Sequence, residues 1–168
     1  MILLVVIISL SIFTVISVYN LFTAPVLKIK QANYNSDKLV SVLVPARNEE
    51  INISKCIQGI INQDYKNKEI IILDDNSTDK TFEIASSIHS TNLNILSGKE
   101  LPSDWLGKNW ACHQLSSVAK GDYLLYIDAD VDLKQNAISS IVYEMKTSNA
   151  TLISIFPTQV IKSFGEYL

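Results

Sequence analysis

Three aspartates alternate with small apolar residues at the end of an apolar run. Residues 123–132 read Tyr-Leu-Leu-Tyr-Ile-Asp-Ala-Asp-Val-Asp, so that Asp128 and Asp130 follow the run directly. Two carboxylates one residue apart can both approach one hard divalent cation, or one can hold the cation while the other accepts a hydrogen bond from a ligand hydroxyl. A cation held there can neutralise a diphosphate. On its own, a motif this short more often marks aspartates that end a strand and open a turn.

Two further polar clusters each follow a predicted strand. Residues 45–50, Pro-Ala-Arg-Asn-Glu-Glu, follow a β-branched run at 39–44, and residues 74–79, Asp-Asp-Asn-Ser-Thr-Asp, follow a second run at 69–73. The run at 123–127 is short and β-favouring enough to be a strand buried on both faces of a parallel sheet. Since ligands bind at the carboxyl ends of parallel strands, all three clusters are expected on one rim.

Helical patterns separate these strands and predict an α/β protein. Ser77 or Thr78 is a candidate N-cap for the second helix, and Lys120-Gly121 is a candidate C-terminal cap for the third. Strands that alternate with helices imply right-handed crossovers and a parallel sheet. The predicted helices cover residues 50–62, 82–88, 110–119 and 135–146, and further strands are predicted at 93–96 and 152–156.

The first 22 residues predict a membrane span. No charged residue precedes Lys28, and about 20 apolar residues are enough to cross a bilayer. A signal peptide is a weaker alternative, because no basic residue precedes the apolar run and no Ala-x-Ala site follows it. Lys28, Lys30 and Lys38 follow the span with no acid before Asp37. The positive-inside rule therefore predicts a single-pass protein of the cell membrane whose remaining chain is cytoplasmic.

Composition limits the function of the remaining chain. Its net charge is −3, and no Lys/Arg cluster marks a nucleic-acid footprint, so no nucleic-acid partner is expected. Residues 23–38 are predicted to be a linker and residues 39–168 one domain. Cys56 and Cys112 lie far apart, with no metal-ligand spacing around them. In a reducing compartment they are predicted to be small core residues.

The polar rim is rich in acids and lacks a glycine-rich cradle. Neither a dinucleotide-binding glycine motif nor a Walker-type lysine motif occurs. Such a rim suits a nucleoside diphosphate whose phosphates are neutralised by a metal and whose ring nitrogens meet a carboxylate. Residues 97–109 break the strand–helix rhythm, and long irregular loops in compact domains tend to be functional. Lys108 in this loop is a candidate cationic donor to the diphosphate.

The three clusters resemble the motifs of family 2 glycosyltransferases with the GT-A fold. Val-Pro-Ala-Arg-Asn-Glu-Glu, Leu-Asp-Asp-Asn-Ser-Thr-Asp and Asp-Ala-Asp occur in the order and spacing of that family, over roughly residues 40–164. The resemblance implies a Rossmann-like nucleotide-diphospho-sugar transferase domain with a mainly parallel sheet, here preceded by one transmembrane helix. It also implies Mn²⁺ or Mg²⁺ as the cofactor and a nucleotide sugar, UDP-linked, as the donor.

The resemblance assigns roles to the first two clusters and to the loop. Pro45 and Ala46 would lie along the nucleobase by their backbone. Arg47 stands where the family often has tyrosine, so this chain departs from the family at a base-stacking position. Glu49 would help to hold the nucleoside, and Asp75 would read the edge of the base. With Lys108 at the diphosphate, these residues form the expected nucleotide-sugar site.

The third cluster receives the sugar and the metal in this scheme. By resemblance, Asp128 contacts the ribose or the sugar, and Asp130 is the metal ligand. Asp132 has no counterpart in the motif and is expected to be a solvated turn residue. The residues expected to shape the turn of the second cluster are Asp74, Ser77 and Asp79.

A tryptophan-containing segment narrows the resemblance to one branch of the family. Residues 105–112, Trp-Leu-Gly-Lys-Asn-Trp-Ala-Cys, together with the membrane span and residues 157–164, look like the branch that glycosylates carotenoid- or hopanoid-type lipids, such as the diaponeurosporenoate glycosyltransferases. The implied acceptor is a lipid, for example a carotenoid acid, at the cytoplasmic face. For the two tryptophans, plain packing is the alternative.

The acceptor-binding motifs of the family do not occur in the sequence. Neither a catalytic Glu-Asp pair nor a Gln-x-x-Arg-Trp motif follows Asp132, so no catalytic base is assigned. The chain is expected to be an amino-terminal half-domain, whose base lies in a missing half or in a second chain that completes the domain. One alternative is an incomplete fragment that only binds nucleotide. A nucleotidyltransferase fits less well, because residues 45–50 contain no glycine and one arginine.

Overall fold

The structure, a computed structural model, describes residues 2–23, 34 and 36–156. An apolar helix, α1 (Ile2–Thr23), precedes a domain in which strands and helices alternate, and this confirms the predicted α/β class. The elements of the domain are β1 (Val40–Ala46), α2 (Ile53–Ile61), β2 (Lys68–Asp74), α3 (Thr81–Ser86), β3 (Leu93–Ser97), α4 (Gly107–Val118), β4 (Tyr123–Tyr126) and α5 (Ala137–Ser148).

The four strands form one parallel sheet in the order β3-β2-β1-β4. The chain adds β2 and β3 on one side of β1 and then crosses to the other side to form β4. The strand order therefore reverses between β1 and β4. Ligands of open α/β sheets bind at such a reversal, in the crevice beyond the carboxyl ends of the strands. The topology thus defines where the three polar clusters meet.

Helices cover both faces of the sheet. The larger core lies between the sheet and helices α2, α3 and α5, and it includes Val42, Ile57 and Ile138. On the opposite face, Leu43 packs with Leu115 of α4. The strands β1 and β2 are buried on both faces, which explains why their sequences are nearly continuous apolar runs.

Strand β1 runs two residues further than predicted. The sequence placed Pro45 and Ala46 in a loop, but both continue the pairing of β1 with β2. Ala46 O accepts a hydrogen bond from Asp75 N at 2.8 Å on the β2 side. Leu43 O accepts one from Ile127 N at 3.0 Å on the β4 side. By alternation Pro45 faces the side on which β4 has already ended, so the N–H that proline lacks would have no strand partner there.

Strand β4 contradicts the prediction of a strand buried on both faces. It is an edge strand in the described part of the chain, and Leu124 and Tyr126 are roughly half exposed. The reason is that α4 packs mainly over β1 and β2 and covers the same face of β4 only in part, where Tyr126 Oη donates a hydrogen bond to Cys112 O at 3.4 Å. Tyr123 and Leu125, on the other face, pack against the larger core.

The ends of the described chain bear on three further predictions. Residues 151–156 contain no strand, so the strand predicted at 152–156 is wrong; Leu152 and Phe156 are exposed, and this segment pairs with no strand in the described residues. Most of the predicted linker, and residues 157–164, lie outside the described residues. Among the described residues, α1 is the one helix that is both long enough and apolar enough to cross a membrane.

The turn between α4 and β4 requires glycine for a steric reason. The predicted glycine cap is wrong, because Ala119 ends α4 with extended backbone and no glycine in the described residues has a positive φ. A Cβ at Gly121 would lie 2.6 Å from both the N and the Oγ of Ser41, and Gly121 N donates to that Oγ at 2.8 Å. Gly121 therefore permits the turn to approach β1 closely.

Replacing Gly121 should destabilise the domain. We expect Gly121→Ala to lower the free energy of unfolding by about 1–3 kcal/mol, since the added methyl must displace the backbone of β1. The measurement is the urea midpoint of unfolding in a mild detergent, followed by circular dichroism. Gly59→Ala is the matched control, because nothing lies within 4 Å of its Cβ position in α2. That change should stabilise the domain by roughly 0.5–1 kcal/mol. Equal effects of the two substitutions would contradict this explanation.

Candidate functional site

One cavity of about 360 Å³ lies at the carboxyl ends of β1, β2 and β4. It brings together all eight residues that the sequence proposed for the site, although their roles in binding stay predictions. Three small residues, Gly107, Ala111 and Ala129, complete the lining, and sequence reasoning missed them because their side chains carry no chemical signal. The proposed residues in the lining are Pro45, Ala46, Arg47, Glu49, Asp75, Lys108, Asp128 and Asp130.

Asn48 joins the loops that follow β1 and β2, and the sequence analysis missed it. Its φ of 55° is left-handed, a conformation that asparagine tolerates better than most residues. Its Oδ1 accepts a hydrogen bond from Thr78 N at 2.8 Å, and its own N donates to Ser77 Oγ at 2.9 Å. Ser77 and Thr78 therefore bind Asn48 and do not cap α3, whose N-cap is Lys80 without a side-chain cap bond. The capping prediction is wrong.

The acids of the second cluster stabilise the same pair of loops. Asp74 Oδ2 accepts a hydrogen bond from Ser77 N at 3.2 Å, within the turn that it was predicted to shape. Asp79 Oδ2 accepts one from Glu50 N at 3.1 Å, which links the turn to the loop after β1. The neighbouring Glu49 N donates to Thr81 Oγ1 at 2.7 Å. Glu49 and Asp75 thus line the cavity from backbone that is held in place.

Two ion pairs lie in the cavity. Lys108 Nζ is 2.7 Å from Asp128 Oδ1, and this hydrogen bond raises the pKa of Lys108. Arg47 Nη1 is 3.8 Å from Asp75 Oδ2, and the side chain of Asp75 is only 13% exposed. Each carboxylate therefore faces a cation from a different segment, Asp128 one from the first turn of α4 and Asp75 one from the loop after β1. A ligand that carries both acceptors and a bound cation can engage both members of each pair.

The acids after β4 fit a hard divalent cation that is shared with a ligand. The exposed Asp130 side chain makes no ion pair or hydrogen bond within the described residues, so its oxygens are accessible. No group of three or more His, Cys, Asp or Glu side chains in the described chain could hold an ion alone. Mg²⁺ is usually bound through one or two carboxylates together with substrate phosphates and waters. Asp130 and Asp128 match that number of protein ligands.

Asp132 points to a different partner. Its Oδ2 lies 2.6 Å from Nζ of Lys55 in α2, so it is not merely a solvated turn residue as expected, and it is not among the residues that line the cavity. Cys56, the next residue of α2, is buried beneath the acidic turn, with its Sγ 4.0 Å from Asp128 O. The turn after β4 is therefore attached to α2.

Comparison with known proteins identifies relatives of the chain. Residues 41–167 match the family described as glycosyl transferase family 2. The 4,4′-diaponeurosporenoate glycosyltransferase of Staphylococcus aureus is 32% identical over 143 residues, which are 83% of this chain and 37% of that protein. The chain thus spans little more than a third of the length of this relative.

Two solved structures share the fold. The crystal structure of Staphylococcus aureus TarS 1–349 has a TM-score of 0.56 and 25% identity, covering 66% of this chain and 33% of that one. The mannosyltransferase PcManGT from Pyrobaculum calidifontis, in complex with GDP-Man and Mn²⁺, has a TM-score of 0.54 and 25% identity over 63% of this chain and 32% of that one.

The two thiols should react at very different rates. Burial, with a further contribution from Asp130 and Glu49, raises the pKa of Cys56 to about 12, whereas Cys112 is only partly buried. We expect a maleimide near pH 8 to modify one thiol of the folded chain, since the thiolate is the reactive form. Mass spectrometry should place the label on Cys112, and Cys112→Ser should abolish rapid labelling. Rapid modification of Cys56 in the folded protein would show that the turn does not pack on α2.

Proposed function

The chain belongs to glycosyltransferase family 2, and on this premise we propose that it binds the donor for a membrane-anchored enzyme that transfers a sugar from a UDP-linked nucleotide sugar to a lipid acceptor, such as a carotenoid acid. The observation that carries the donor site is the convergence of all eight proposed residues on one cavity at the reversal of strand order. The identity with a protein named 4,4′-diaponeurosporenoate glycosyltransferase supports the class of acceptor.

The nucleoside would occupy the part of the cavity between β1 and the loop after β2. Asp75 is held there with little exposure, and its carboxylate can accept a hydrogen bond from a ring N–H of uracil. Pro45 and Ala46 present the end of β1 to the base, and Glu49 lies nearby for the ribose. Arg47, which pairs with Asp75, can donate to a carbonyl oxygen on the same edge of the base.

The diphosphate would lie between α4 and the turn after β4. Lys108 already reaches across the cavity to Asp128, so a small rotation of its side chain can bring the ammonium to a phosphate oxygen. Asp130, with Asp128, would hold Mn²⁺ or Mg²⁺, and PcManGT was solved with Mn²⁺. A cation bound there would neutralise the diphosphate and act as a Lewis acid on the leaving group. Asp128 can also accept a hydrogen bond from a hydroxyl of the ribose or sugar.

The helix α1 would anchor the enzyme as a single span of the cell membrane, and the lysines that follow it favour a cytoplasmic domain. In this proposal residues 23–38 are the linker and residues 39–168 the donor-binding domain. We assign no catalytic base to the described residues, and the base would come from an acceptor-binding half or from a second chain. If no such half completes the site, the chain would serve as a nucleotide-binding module.

Removal of Asp130 should abolish metal-dependent binding of UDP. In calorimetric titrations of the full chain in detergent, Mn²⁺ should strengthen UDP binding. Asp130→Ala should weaken UDP binding in the presence of Mn²⁺ by at least about tenfold, because loss of even the outer partners of metal ligands typically costs 10–100-fold. Asp132→Ala is the matched control, since its carboxylate pairs with Lys55 outside the cavity lining. Equal losses in both variants, or UDP binding that ignores Mn²⁺, would refute the metal assignment.

Removal of the Lys108 charge should weaken binding of phosphates selectively. A hydrogen bond to a charged group contributes about 1.5–3 kcal/mol, so Lys108→Met should bind UDP roughly tenfold or more weakly than the native chain does. Uridine, which lacks the diphosphate, should bind both equally. Lys55→Met removes a lysine from a comparable exposed ion pair and should leave UDP affinity unchanged. A parallel loss of uridine binding in Lys108→Met would mean that the lysine only maintains the shape of the site.

A further inference from the structure

Both tryptophans of the chain lie in one exposed, apolar segment beside the cavity. We call residues 101–110, which lead from the β3–α4 connection into the first turn of α4, the tryptophan loop. Leu101, Trp105 and Leu106 in this loop are 53%, 38% and 73% exposed. The loop includes Gly107 and Lys108, which line the cavity. An apolar surface therefore adjoins the entrance of the proposed donor site.

The tryptophans pack on each other and not into either core. The Trp105 ring lies 5.2 Å from that of Trp110 and 4.8 Å from that of His113, measured between centroids. Trp110 Nε1 donates a hydrogen bond to Lys99 O at 3.2 Å. Neither tryptophan belongs to the buried clusters on the two faces of the sheet. Plain core packing therefore does not explain them, and the stack holds Trp105 and Leu106 outward on an ordered support.

The loop suits the interfacial layer of a bilayer. Indole rings concentrate at that depth, because an apolar ring with a polar N–H matches the boundary between acyl chains and headgroups. The tryptophan loop contains one acid, Asp104, and one lysine, Lys108, so it has no net charge. Its contact with a membrane would therefore depend on apolar burial and not on anionic lipid.

The tether permits this contact. Thr23 ends α1 and Val40 begins β1, and a chain of that length spans at most about 60 Å. A domain of this size has a radius of gyration of only about 13 Å, so every face of it can reach the bilayer. A second partly exposed apolar pair, Leu124 and Tyr126, lies on the edge strand β4. Open sheet edges do not enter lipid, because their backbone groups would lose their hydrogen bonds.

We propose that the tryptophan loop inserts into the interfacial layer of the bilayer that α1 spans, and so turns the entrance of the cavity toward the lipid. The proposal rests on the proposed membrane anchorage. It commits to the bilayer itself as the partner of the loop. Orientation of the entrance toward the membrane would let a lipid acceptor meet the donor without leaving the bilayer.

Tryptophan fluorescence tests the proposal directly, because Trp105 and Trp110 are the only two tryptophans in the sequence. The full chain is reconstituted into phosphatidylcholine vesicles brominated either near the carboxyl end or near the methyl end of the acyl chain. We expect loss of emission in both, with the greater loss for bromine near the carboxyl end, since interfacial insertion reaches about 5–10 Å. Exchange of part of the lipid for phosphatidylglycerol should leave the loss unchanged.

Leu106→Asp is the variant that should withdraw the loop. Leu106 occupies the N-cap position of α4 without a side-chain cap bond, and aspartate is favoured there, so the variant should fold. Quenching by brominated lipid should fall, while quenching by aqueous iodide should rise. Leu152→Asp replaces another exposed leucine outside the loop and should change neither.

Three results would overturn the proposal. If iodide quenches the native emission and brominated lipid does not, the loop lies in water. If neither quenches, protein covers the loop, for example a second copy of the chain. If quenching requires phosphatidylglycerol, charge and not apolar burial drives the contact. Flotation of the chain with the vesicles and UDP titration are measured separately, so a failure of anchorage or of donor binding is distinguishable from a failure of this inference.

Discussion

The parallel register of the sheet is the constraint on which the site depends. Because β1, β2 and β4 run in the same direction, the residues that follow each strand emerge on one edge. The reversal of strand order between β1 and β4 then opens a crevice at that edge. Pro45 belongs to this arrangement, since it can extend β1 only where the neighbouring strand has ended. The cavity is therefore a consequence of topology before any side chain contributes chemistry.

Loops at such an edge would be mobile unless other contacts hold them. Here Asn48 and the turn after β2 exchange hydrogen bonds, and Asp79 binds the backbone at Glu50. Asn48 adopts a left-handed conformation in doing so, a strain that the surrounding bonds must offset. On the opposite side, the buried Cys56 of α2 lies beneath the turn after β4, with its Sγ 4.0 Å from Asp128 O. The site is thus supported by polar contacts between segments that are far apart in sequence.

These long-range contacts explain what could and could not be predicted. Four of the five predicted strands and the convergence of Asp75 with Asp128 follow from apolar runs and from the rule that parallel strands share an edge. The link through Asn48 could not be found, because its partners lie about thirty residues away and many asparagines occur in loops. Gly121 resembled a helix cap, while its actual role depends on the position of Ser41. The exposure of β4 depends on where α4 packs, which no local pattern specifies.

The two ion pairs in the cavity explain how a charged ligand could enter without leaving a carboxylate unpaired. Lys108 and Asp128 are both more than half exposed, so their pairing contributes at most about 1 kcal/mol and is readily exchanged. In the proposed complex, a diphosphate with its cation would supply a replacement partner to each member: phosphate oxygens to the lysine and the cation to the carboxylate. The Arg47–Asp75 pair is less exposed on the side of the aspartate, and its exchange is correspondingly more selective. Recognition of the base would then depend on a ligand that satisfies Arg47 and Asp75 at once. A nucleobase edge that carries a donor beside an acceptor satisfies both groups, and water satisfies them less well.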